Sequence, residues 1–205
     1  MKSHSRQLIS ENLSDIRGKA QRLRLKSRSA QGDTALPIIS MTTFPKRLGT
    51  LWMTLESLLS QDYGIQAVVV NLCRDEFRFK RLPKKLQEYQ NRGVIFNWFT
   101  GRLGPYGKLL PTRELYPNSN IITVDDDNFY HPDLASSLTI AGLARPGSVV
   151  ARRGRLIQHI GRSLAPYRRW PLADEPTRVR VLPTGVGGLL FPARLSSEPL
   201  LMDFA

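Results

Sequence analysis

One cysteine, three histidines and no apolar run long enough to cross a bilayer set the first limits on this 205-residue chain. With Cys73 alone, no internal disulfide can form, which fits a reducing compartment. One cysteine and three histidines also exclude a Cys/His metal cluster. The opening residues, MKSHSRQLISENL, lack the apolar core of a signal peptide. Together these absences lead to the expectation of a cytoplasmic protein. Acids are scarce as well: 17 Asp and Glu stand against 30 Lys and Arg, for a net charge of +13. What is present is ordinary for a globular protein, with 41% hydrophobic and 23% charged residues, enough for one domain with a full core.

The positive excess is confined to two segments. Residues 1–30 carry a net +6 and residues 145–180 a net +7, which leaves the remainder neutral. Localised basic surface favours phosphate-rich partners such as a nucleotide diphosphate, anionic lipid or nucleic acid. No nucleic-acid-binding motif accompanies it, so no nucleic-acid partner is expected. Residues 1–34 read as a separate basic helix and linker, and 35–205 as the main domain. Leu8, Ile9, Leu13, Ile16, Ala20 and Leu23 recur at helical spacing among arginines. Such a helix can lie on the inner face of a membrane through residues 1–28, pack on the domain, or fray.

The main domain alternates strand and helix patterns. Apolar runs at 37–41 (PIISM), 67–72 (AVVVNL) and 94–98 (VIFNW) read as strands. Amphipathic helices at 48–60 and 82–90 separate them. TTFPKR after the first run reads as a loop. A Gly- and Pro-punctuated loop with a short helix fills 101–117. A helix near 132–143 and short strands at 148–151, 178–182 and 189–192 follow. The expected fold is α/β: an open, mixed, mostly parallel sheet flanked by helices, extended irregularly in the second half. Ligands of such sheets bind at the carboxyl ends of the strands.

At one such end stands NIITVDDDNFYHP, residues 120–132. Ile121, Ile122 and Val124 make a buried strand that runs into Asp125, Asp126 and Asp127. Three adjacent carboxylates repel one another, so something positive is expected beside them, a hard divalent cation being the natural candidate. In extended backbone residues 125 and 127 share a side. The plainer alternative is a solvated acidic turn capping the next helix. Residues 184–188, TGVGG, suit either a close backbone approach to a ligand or a tight turn.

SMTTFPKR before a Leu-rich helix, GPYGKLLP, ITVDDDNFYHP, PYRRW and TGVGGLLFP occur in that order. Over about residues 37–192 the chain resembles bacterial nucleotide-sugar glycosyltransferases of the A-type, Rossmann-like fold with an Asp-x-Asp motif, many of which act in surface-polysaccharide or lipopolysaccharide assembly. The resemblance implies a UDP- or GDP-type sugar donor and a glycan or lipid-linked acceptor. It further implies Mn²⁺ or Mg²⁺ on Asp127, assisted by Asp125, which alternatively holds the donor's ribose; the role of Asp126 in the donor site is the least defined. Lys108 would reach donor phosphate or sugar, and Thr42, Thr43 and Arg47 would grip the nucleotide. Gly185, Gly187 and Gly188 match the loop closing over donor and acceptor. Arg152, Arg153 and Arg155 would meet an anionic acceptor or the diphosphate, or stay solvated. Similar proteins continue into an acidic segment that offers the general base, whereas here Glu198 and Asp203 are the only later acids. Asp174 and Glu175 are the substitute candidates. The alternative is a catalytically degenerate nucleotide-sugar-binding module, with donor binding kept and transfer weak.

Overall fold

A computed structural model of the chain describes residues 36–77, 81–173 and 180–193. The expected basic helix and linker at 1–34, and the candidate acids Asp174, Glu175, Glu198 and Asp203, lie outside these residues.

The centre is a six-stranded sheet in the order β3-β2-β1-β4-β10-β5. Its first strands are β1 (Ile38–Thr43), β2 (Ala67–Cys73), β3 (Val94–Phe99) and β4 (Ile121–Thr123), and all four run parallel. β5 (Val150–Ala151) closes the far edge. β10 (Leu189–Phe191) lies antiparallel to both β4 and β5. The expected mixed, mostly parallel α/β sheet is therefore what the chain forms. Helices cover both of its faces, so its strands bury side chains on each. β2 is buried along its whole length.

On one face, α1 (Leu51–Leu59) drives Leu51, Leu55 and Leu58 against Ile39, Met41, Val70 and Ile122. α4 (Leu134–Leu143) adds Leu134 and Leu138 to the same core. α2 (Lys84–Gln90) is tied to α1 through the buried Glu56, which accepts from the Tyr89 hydroxyl at 2.8 Å and from Arg92. The opposite face carries Ile38, Val69 and Ile95, and α3 (Leu110–Leu115) packs there. Ser40 alternates onto this second face. Its hydroxyl donates to the Lys108 carbonyl at 2.7 Å and lies 2.6 Å from the Thr112 hydroxyl. Asn71 donates to Thr112 at 2.8 Å and accepts from Asn97 at 2.9 Å. A polar chain thus crosses the interior and fixes the segment that carries Lys108. Each link is satisfied, so its burial is tolerated.

The second half forms a small lobe. β6 (Gly154–Leu156) pairs with β9 (Val181–Pro183), and β7 (His159–Ile160) with β8 (Ser163–Leu164). These are separate two-stranded sheets rather than further strands of the central one. Their strands are only two or three residues long and mostly exposed, too short to extend the buried central sheet.

Two boundaries differ from expectation with consequences for the site. Thr42 and Thr43 belong to β1 and not to the loop after it, because both pair in register with Asn71 and Leu72 of β2. β4 stops at Thr123, and Asp126 and Asp127 form a turn. The alternation that placed 125 and 127 on one side holds only in extended backbone and does not reach them.

Candidate functional site

Strand order runs outward from β1 to β3 on one side and starts again at β4 on the other. Between β1 and β4 the order reverses, and the carboxyl ends there open a crevice. A cavity of about 320 Å³ occupies it, within the range of small-molecule sites. One end is charged, lined by Thr43, Arg47, Lys108, Asp125 and Asp126. The other, toward the ends of β2 and β3, is apolar, lined by Phe99, Leu103 and Pro105 with Cys73 and Glu76 beside them, while Phe44 lies under the Arg47 guanidinium at 4.9 Å.

The acidic loop is held by helix α1 and by Tyr130. Thr54 donates to the Asp126 carbonyl at 3.0 Å, and the Ser57 hydroxyl accepts from the Tyr130 amide at 3.1 Å. The Asp125 amide donates to the Tyr130 hydroxyl at 2.7 Å. Burial pushes the Tyr130 phenol above its usual range, so it stays protonated.

The three carboxylates have different surroundings. Asp125 accepts from the Lys108 ammonium at 2.5 Å. Asp126 is buried, 4% exposed, and receives Thr43 on one oxygen and Arg47 on the other, each at 2.5 Å. Asp127 is half exposed and lies 3.2 Å from the same Arg47. The bond to Asp126, aided by the neighbouring acids, raises the Arg47 pKa against the opposing effect of burial. The positive charge expected beside the acids is thus supplied in part by Arg47 and Lys108. The acids are not helix caps: Asp133 holds the N-cap position of α4.

Among the described residues no group of three or more His, Cys, Asp or Glu can hold a metal. A pair of carboxylates remains relevant, because Mg²⁺-type sites often use one or two protein carboxylates and take their other ligands from substrate phosphate and water. Asp125, which holds Lys108 by one oxygen, and the half-exposed Asp127, with longer contacts to Arg47 at 3.2 Å and Asn128 at 3.3 Å, would be the carboxylates in that role. Asp126 would not, since it is buried and bonded at 2.5 Å on both oxygens. Three carboxylates against two cations leave the cluster net negative. The all-oxygen donor set suits Mn²⁺ or Mg²⁺.

The glycine loop lies against this cluster. Gly185–Gly187 form one turn of 3-10 helix. A Cβ on Gly185 would stand 3.1 Å from the Lys108 ammonium and 3.2 Å from Asp125. Gly187 abuts Arg152 and Arg153, and Gly188 abuts Leu134 with φ +83. Of the expected site residues, Thr43, Arg47, Lys108, Asp125, Asp126 and Gly185 come together at the charged end. Thr42 lines the cavity too, while its hydroxyl donates to the Asn71 carbonyl at 3.1 Å. Arg152 instead pairs with Asp133 at 2.6 Å, and Arg155 donates to the Trp170 carbonyl and lies over the Tyr167 ring at 5.0 Å. Sequence reasoning missed Phe44, Phe99, Leu103 and Tyr130. Of these, Tyr130 carried a signal inside the acidic motif, and Phe44 one inside SMTTFPKR.

No protein-family model matches the chain, and no curated protein matches it. Among solved structures, S. aureus TarS 1-349 aligns with a TM-score of 0.49 and 15% identity, over 83% of this chain and 49% of that one. The chain therefore spans about half the length of that structure. A mannosyltransferase from Pyrobaculum calidifontis in complex with GDP-Man and Mn²⁺ aligns with a TM-score of 0.43 and 16% identity, over 70% of this chain and 46% of that one. A UDP-glucose pyrophosphorylase complexed with UDP-glucose aligns with a TM-score of 0.41 and 9% identity, over 80% of each chain.

Proposed function

We propose that the chain is a metal-dependent glycosyltransferase that takes a sugar from a UDP- or GDP-type donor to a glycan or lipid-linked acceptor in surface-polysaccharide assembly. The observation that carries this reading is the two-ended cavity at the switch point between β1 and β4. Its charged end joins the acidic loop to Lys108 and Arg47, and its apolar end offers aromatic and aliphatic walls. A nucleotide diphosphate has the same polarity, with a flat base at one end and phosphates at the other.

In this reading Phe99 and Leu103 receive the base by apolar contact, and Glu76 offers an acceptor to base N–H groups. Lys108 and Arg47 face the diphosphate as fixed cations, prepared before any substrate arrives by their bonds to Asp125 and Asp126. A divalent ion held by Asp125 and Asp127 would neutralise charge on the departing diphosphate. Gly185 lets the loop from 184 to 188 come within reach of Lys108 without a side chain between them. Cytoplasmic placement belongs to the same proposal.

The test incubates the protein with Mn²⁺, a panel of UDP- and GDP-sugars and candidate acceptors, and quantifies released diphosphate and glycosylated product. Product formed with one donor class and abolished in Lys108→Ala supports the reading. Diphosphate binding without any turnover replaces it with the donor-binding module. No binding of any nucleotide refutes both.

A further inference from the structure

The lobe built from β6 to β9 combines two properties that a water-facing surface rarely has together. The first is a large excess of positive charge. Residues 154–183 contain six arginines against two acids, Asp174 and Glu175. Arg162, Arg168 and Arg169 are exposed. The second property is exposed apolar side chains on a fixed framework. Ile160 is 54% and Leu164 61% exposed. They lie on opposite faces of the β7–β8 hairpin, because His159 faces Leu164 and Ile160 faces Ser163. Both faces are open, so the hairpin buries neither residue.

Beside it, Arg155 pairs with Leu182 of β9 and bridges to Leu172 on its other side, which puts the three in one row across one face. Leu172 is 47% and Leu182 40% exposed. Tyr167, 51% exposed, lies over the Arg155 guanidinium. The framework is set by the buried Trp170, whose indole N–H donates to the Ala165 carbonyl at 2.9 Å, and by the backbone bond from Ala165 to Gln158 at 2.9 Å.

We propose that this lobe docks on an anionic lipid surface, with Ile160, Leu164, Tyr167, Leu172 and Leu182 entering the headgroup region and Arg162, Arg168 and Arg169 meeting lipid phosphate. Charge complementarity selects an anionic partner. The exposed aliphatic side chains select lipid over nucleic acid, whose backbone and base edges offer them little. An apolar set surrounded by arginines is the composition by which peripheral elements settle at the headgroup boundary. β9 continues directly into the loop from 184 to 188, so a surface bound here lies next to the Lys108–Asp125 pair. The proposal is independent of the nucleotide-sugar reading, since it requires neither nucleotide nor turnover.

The full chain is sedimented with vesicles of phosphatidylcholine alone and of phosphatidylcholine mixed with phosphatidylglycerol. Two variants accompany it, Ile160→Ser/Leu164→Ser and Arg168→Glu/Arg169→Glu. All four positions are exposed, and unchanged melting confirms that the variants are folded. A third variant, Leu164→Cys, carries an environment-sensitive dye; Cys73 is buried and escapes labelling. Expected are binding to the anionic vesicles only, a loss of more than tenfold in partitioning for each double variant, and a blue shift of the dye with anionic vesicles. The basic segment 1–30 is present throughout, so such losses belong to the lobe. Unchanged partitioning of both variants with no dye shift overturns the proposal and assigns any binding to other basic residues. Tight binding of random-sequence DNA with no vesicle binding overturns it in favour of a nucleic-acid surface.

Discussion

At the scale of single residues, the acidic triplet divides into unlike parts. Asp126 is a buried acceptor for Thr43 and Arg47, whereas Asp127 projects into solvent. Asp126→Ala leaves the Thr43 hydroxyl buried without its partner and is expected to lower stability by about 1–3 kcal/mol, measured by urea unfolding. Asp127→Asn is expected to keep the unfolding midpoint and to lose Mn²⁺-dependent diphosphate binding by calorimetry. Equal effects of the two substitutions on stability would contradict this division. Asp133 behaves differently again. Its bonds to Arg152 and then to His131 hold its carboxyl below the usual range. A depressed carboxylate stabilises the fold above its unfolded pKa, and that contribution is lost as pH falls through the folded value. Arg152→Gln is therefore expected to reduce stability near neutrality and to flatten the acid limb of the stability–pH curve. An acid limb of unchanged slope would show that the pair adds nothing.

At the scale of elements, the strands were legible as short continuous apolar runs, as a sheet covered on both faces requires, and the helices from apolar residues at period 3.6. The resemblance implies a role for Lys108 toward donor phosphate or sugar, but its pairing with Asp125 was not legible, since a helix separates the two in the chain. The roles of Thr43 and Arg47 toward Asp126 were not legible. They join positions about 80 residues apart, and adjacent acids in one turn carry no periodic mark of which is buried. The lining by Phe99 and Leu103 was equally hidden, because an aromatic residue at a strand end reads as core. The glycine loop left two readings open, and the geometry combines them: it is a tight turn and also a close approach. Gly188 has φ +83 and ψ 145, and a Cβ there would meet Leu134 at 2.8 Å. That backbone region is essentially glycine-only and strained for other residues by about 1–3 kcal/mol. Gly188→Ala is expected to lower stability by at least that amount, with the clash against Leu134 adding to it. A melting temperature equal to that of the unsubstituted protein would mean that the loop can shift away from α4.

At the scale of the whole molecule, the +13 net charge is not spread over the surface. The cavity's own cluster of Asp125, Asp126, Asp127, Lys108 and Arg47 is net negative, while the lobe beside it is strongly positive. The field of the lobe draws anions toward the crevice, yet the cluster itself opposes a diphosphate that arrives without a cation. Binding should therefore depend on a divalent ion and also on ionic strength. A ligand at a hundred times its dissociation constant stabilises the native state by about 2.7 kcal/mol. For a chain of this length each kcal/mol raises the melting temperature by about 2–4 °C, so the expected shift is about 5–10 °C. The measurement is thermal unfolding with GDP and with UDP, each in Mn²⁺ and in EDTA, at low and at high salt. One nucleotide is expected to give the shift in Mn²⁺ and to lose most of it in EDTA, with a smaller loss at high salt. An equal shift in EDTA would mean that Arg47 and Lys108 suffice for the diphosphate, and Asp125 and Asp127 would then have no metal to hold.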